Sequence, residues 1–77
     1  MITIDEARRA VEKGSQIYTV YEGSKGILFR KFSPESIQIT KDKTYILDED
    51  GTYHPPRGCY LEKDPAINAM LTLINEI

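Results

Sequence analysis

Five clusters of turn-forming residues divide the middle of this chain: Gly23-Ser24-Lys25-Gly26, Ser33-Pro34-Glu35, Lys41-Asp42-Lys43, Asp48-Glu49-Asp50-Gly51 and Pro55-Pro56. Gly, Pro, Asp and Ser break regular structure because they supply unusual dihedrals, remove donors or bond their own backbone. The segments between them have strand character. Gln16–Glu22 is β-branched and aromatic, and Ile27–Phe32 returns after a turn. Ser36–Thr40 alternates with Ile37 and Ile39 inward, Thr44–Leu47 follows, and the Asp-Gly hairpin signal leads into a brief Thr52–His54. Such short strands on tight turns predict an antiparallel meander. In Ile27–Phe32, Leu28, Arg30 and Phe32 share one face while Ile27, Phe29 and Lys31 share the other. Both faces are mixed, so the pattern does not say which points inward.

A helix is predicted on each side of this region. Thr3 and Glu6 have the spacing of a capping box, and Gly14 stands where a helix would stop. Ile4, Ala7, Ala10 and Val11 give residues 4–13 one narrow apolar stripe, the mark of an outside helix. Asp64-Pro65 opens a second helix, with Asp64 as cap and Pro65 at the first helical position. Ile67, Met70, Leu71, Ile74 and Ile77 then fall on one face, widened by Ala66, Ala69 and Leu73. At about 100° per residue the apolar arc covers roughly 200°. A surface helix needs much less, so this one should meet its own sheet and also either the first helix or a second protein. The expected fold is a single α+β domain over residues 1–77. It has an N-terminal helix, a four- to five-stranded antiparallel meander, and a C-terminal helix packed on the sheet. A strongly curled sheet approaching a small barrel is the alternative.

Size and charge exclude several functions. The formal charge of −2 gives no general basic field for nucleic acid or anionic membrane. No apolar run reaches the length of a membrane span, and no basic leader with an apolar core opens the chain. Cys59 is the lone cysteine, so no internal disulfide is available and a cytoplasmic location is the default. At 77 residues, self-association offers apolar burial that a monomer lacks.

No catalytic or cofactor signature stands out. Asp48-Glu49-Asp50-Gly51 lacks EF-hand spacing, since Ile46 and Arg57 would fall at the first and last ligand positions. A weak divalent site from these carboxylates competes with a solvated hairpin tip, the preferred reading. His54 has no Ser or Cys partner at a recognisable spacing, and His54 with Cys59 is too few donors for zinc. Cys59 beside Tyr60 and Leu61 reads as a small buried hydrophobe. The glycines at 23 and 26 lack P-loop spacing. The expectation is therefore no enzyme, no cofactor and no metal.

Two stretches invite recognition. In Tyr53-His54-Pro55-Pro56-Arg57-Gly58-Cys59-Tyr60, side chains enriched at binding hot spots flank a rigid Pro-Pro, marking Tyr53, His54, Arg57 and Tyr60 as candidate partner contacts. Lys25, Arg30 and Lys31 interleave with Tyr18, Tyr21, Phe29 and Phe32, as a single-stranded nucleic-acid platform would require. The favoured reading is a small non-enzymatic protein-binding module. Its analogues are regulatory or inhibitory accessory proteins of the phage and mobile-element type, a comparison of class and not of residues. It has a protein partner and homodimerises through Ile67, Met70, Leu71, Leu73, Ile74 and Ile77. The nucleic-acid binder is the alternative, followed by a small-ligand pocket between helix and sheet.

Overall fold

The structure, a computed structural model, describes residues 1–76. Ile77, expected to complete the apolar face of the last helix, lies outside the described residues. Helix α1 runs Ile4–Lys13, over the span its end signals predict. The Thr3 hydroxyl accepts from the Glu6 amide at 3.1 Å, and the Glu6 carboxylate accepts from the Thr3 amide at 3.0 Å. Gly14, at φ 76°, ends the helix in the left-handed conformation that costs glycine least.

Strands β1 (Ile17–Gly23) and β2 (Gly26–Phe32) form a hairpin running from Ile17↔Phe32 to Gly23↔Gly26. Four short strands follow: β3 (Gln38–Ile39), β4 (Ile46–Leu47), β5 (Tyr53–His54) and β6 (Cys59–Tyr60). Helix α2 closes the chain at Lys63–Glu76. The α+β class is correct, but the single meander and the barrel are not. The strands form two three-stranded antiparallel sheets, ordered β2-β1-β6 and β3-β4-β5.

Proline decides the split. Pro34 starts a 3-10 turn, Pro34–Ser36, that carries the chain away from β2 before β3 begins. Pro56 starts another, Pro56–Gly58, that returns the chain to β1. Cys59–Tyr60, which reads in the sequence as part of a connector, thus becomes a strand, with Thr19↔Cys59 and Tyr18↔Tyr60 in register. The Thr19 hydroxyl donates to the Gly58 carbonyl at 3.1 Å and fixes the return.

Register also settles which face is which. Ile17 with Phe32, and Thr19 with Arg30 and Cys59, lie on the inner face; Tyr18 with Lys31, and Val20 with Phe29, lie on the outer one. The core fills the inner side. Ile17, Phe32 and Cys59 of the first sheet pack with Ile37, Ile46, Ile2, Ala7 and Ala10. Both sheet faces are therefore used, which is why the alternation in β2 was ambiguous.

The two helices cover opposite sides of the first sheet. Helix α1 is the outside helix that its narrow stripe predicts: Ala7 and Ala10 are buried with Ile4 and Val11 packed beside them, while Asp5, Arg8, Arg9, Glu12 and Lys13 are exposed. Helix α2 packs across β1, β2 and β6 on the other side, and only Ala66 is buried. Ile67, Ala69, Met70 and Leu73 are half-buried, while Leu71 and Ile74 are each 49% exposed. The helix begins at Lys63, so Asp64 sits in its first turn and is not the cap. Pro65 remains in that turn, where amide donors have no intrahelical acceptor anyway. Among the described residues, no helix is long and apolar enough to cross a membrane.

Candidate functional site

The structure separates the residues that the sequence grouped. His54 lies inside the molecule at 1% exposure and is no surface contact. The inward face of β5 carries it there, between the rings of Tyr21 at 5.0 Å and Phe32 at 5.1 Å. Tyr53, its neighbour on the alternate face, is exposed and meets Tyr45 edge-on at 5.8 Å. Arg57 and Tyr60 come together on the far side of the first sheet. They line an open groove of about 600 Å³ with Val20, Glu22, Thr72 and Leu73. Two of the four candidate partner contacts thus share a site with α2, and two do not.

The basic trio is also divided. Lys25 is exposed on the β1–β2 turn and Lys31 is exposed on the outer face. Arg30 is on the inner face, where Nη1 meets Asp48 Oδ2 at 3.2 Å and Asp50 Oδ2 at 3.5 Å. Its guanidinium also lies over Phe32, 5.1 Å from the ring centroid. The four aromatics separate in the same way. Tyr18 and Phe29 meet in a tilted pair at 6.0 Å on the outer face, whereas Tyr21 and Phe32 enclose His54. No common platform presents these cations and rings to a single strand.

Asp48 is the residue that sequence reasoning missed. It is not part of a solvated acidic tip: its carboxylate is fully buried. Oδ2 lies 2.7 Å from His54 Nε2 as well as meeting Arg30. Oδ1 accepts from the amides of Asp50 at 2.8 Å and Thr52 at 3.0 Å. The cluster ties β2 of one sheet to the β4–β5 hairpin of the other. A hairpin Asp followed by Asp-Gly was the available signal, since Asp bonds its own backbone two residues on. Arg30, eighteen residues away, had no local signature, and His54 lies six residues on, across the hairpin.

Chemically this cluster is a set of enclosed, mutually bonded groups. An Asp–His pair resembles the orienting half of a catalytic triad, but both side chains are sealed from solvent. Cys59 is not available to them either: its thiol donates to the Pro55 carbonyl at 3.6 Å, and burial pushes its pKa up. Glu49 and Asp50 do not join Asp48 around a cation. Among the described residues, no three metal-ligating side chains converge.

Burial by itself would raise the Asp48 pKa. Donation from His54 and from the Thr52 and Asp50 amides outweighs it and holds the carboxyl below its ordinary value. A depressed folded pKa stabilises the native state above the unfolded value, near 4, and that contribution fades as pH falls through the folded value. Denaturation midpoints of the wild type and Asp48→Asn should therefore differ at neutral pH and converge in acid. A gap that persists to about pH 2 would contradict this assignment.

No protein-family model, curated protein or solved structure matches the chain.

Proposed function

We propose that this chain is a non-enzymatic protein-binding module whose contact surface is the outer side of the first sheet. The supporting observation is the state of α2. Leu71 and Ile74 stand half in solvent, within a stretch, Ala66–Asn75, that carries no charge. A solvent-facing helical flank ordinarily bears charged and polar residues. The Arg57–Tyr60 groove beside the helix adds a rigid, partly polar border of the kind found around binding hot spots. An accessory role, regulatory or inhibitory, fits a module that offers a surface and no reaction.

The occupant of the helical flank is a second copy of the chain. Lys63 stands at one end of α2 and Glu76 at the other. Asp64 also lies in the first turn, so charge at the ends is mixed, and it is the dipoles of two such helices laid antiparallel that oppose favourably. Sedimentation equilibrium should show concentration-dependent dimers. Leu71→Glu should weaken association by roughly 30-fold or more, the equivalent of losing one buried leucine side chain. A wild type that remains monomeric at about 1 mM would remove self-association from this account.

A further inference from the structure

Among the described residues, strand β2 is an edge: its only neighbour in the sheet is β1. The alternate peptide groups along its outer side have no strand beside them, and such a row is a template for another strand. The strand is seven residues long, against two for the opposite edge, β6. Charge guards it in part through Lys31, which is exposed.

The open edge and the open helical flank lie on the same side of the molecule. Ala69, Thr72 and Leu73 line the groove beside Pro55, Arg57 and Tyr60, so that flank of α2 faces β6. At about 100° per residue, Ile67, Leu71 and Ile74 fall on the opposite flank, over β2. The helix packs on β2 as closely as on β1. One approach direction therefore meets unpaired backbone below and uncharged apolar side chains above.

We infer that two copies join through β2, antiparallel about a two-fold axis, to make one continuous six-stranded sheet with the two α2 helices side by side on its outer face. This deepens the self-association proposed above and rests on it. Area favours the strand's participation. A specific interface buries roughly 1,200–2,000 Å² in total, and three partly covered side chains per copy fall well short. Adding seven strand residues per copy brings the contact toward that range.

Charge selects the register. Centred on Phe29, the pairing uses the whole of Gly26–Phe32. It sets Arg30 against Leu28 of the second copy and Lys31 against Ile27 of the second copy, so no cation faces a cation. Shifting the centre to Arg30 or to Lys31 would set like charges directly opposite, which is unfavourable. In the Phe29 register Ile27, Phe29 and Lys31 of both copies share the outer face, so both helices lie on one side.

A charge exchange tests the register. Ile27→Lys should place two ammonium groups opposite each other at each end of the pairing and weaken dimerisation roughly 2- to 30-fold. Ile27→Lys combined with Lys31→Glu should restore it, because opposite charges then meet. Thermal unfolding at low concentration verifies that each variant folds. Hydrogen exchange on the wild type should show β2 amides gaining protection as concentration rises. Dimers that are lost in Leu71→Glu but leave β2 amides unprotected, or a double variant that does not recover, would overturn the strand pairing and leave the helical contact standing. A wild type with no dimer at any concentration would overturn both.

Discussion

Asp48→Ala should be the most damaging single substitution in the chain. The carboxylate is fully buried and holds His54, Arg30 and two backbone amides. Removing it leaves a buried imidazole and two amides without their acceptor, and frees a guanidinium from its inner partner. A buried polar group left without its partner costs about 1–3 kcal/mol, and the loss of the Arg30 contact adds to it. At about 0.05–0.15 kcal/mol per residue, a chain of this length has roughly 4–12 kcal/mol in total, so the variant should lose a large share of its stability. Asp50→Ala supplies the control. Asp50 touches the same guanidinium at 3.5 Å, yet its side chain is 67% exposed, and solvent screening should keep its loss below about 1 kcal/mol. Urea denaturation of the pair decides the matter. Equal midpoints would mean that the buried cluster is not what joins the two sheets.

The second large effect distinguishes the two sides of the first sheet. Ile17 is fully buried on the inner face, in the cluster that also contains Phe32, Ile46 and Cys59. Ile17→Ala should cost about 2–5 kcal/mol, the transfer loss plus the cavity left in a packed site. Ile74→Ala removes the same atoms from a half-exposed position on α2, and in the monomer should cost under about 1 kcal/mol. Denaturation at low concentration keeps dimerisation out of the comparison. A variant at Ile74 as destabilised as the one at Ile17 would mean that α2 is enclosed and has no flank to offer. Repeating the measurement at high concentration should enlarge the Ile74→Ala effect alone, since mass action then adds the dimer contact to apparent stability.

The local elements were readable because their signals are local. The Thr3–Glu6 box and Gly14 define α1 within a single turn of chain at each end. Gly23 to Gly26 joins β1 to β2 in register, and Gly51, at φ 83°, stands in the hairpin between β4 and β5. The breadth of the apolar arc on α2 likewise pointed to surface in excess of what one sheet can cover. Cys59–Tyr60 was missed as a strand because two residues carry no periodicity, and only the return at Pro56–Gly58 brings them beside β1.

Composition and spacing, by themselves, determined the α+β class, both helices and the turns, since each follows from dihedral preference and from contacts a few residues apart. The division into two sheets, the burial of His54 between Tyr21 and Phe32, and the flank of α2 left open depended on the folded chain. These rest on residues eighteen or more positions apart, such as Arg30 with Asp48, or on how closely a helix can approach. Ala66 is the one buried residue of α2, and no count of apolar residues along that helix could say how much of its girth three strands cover.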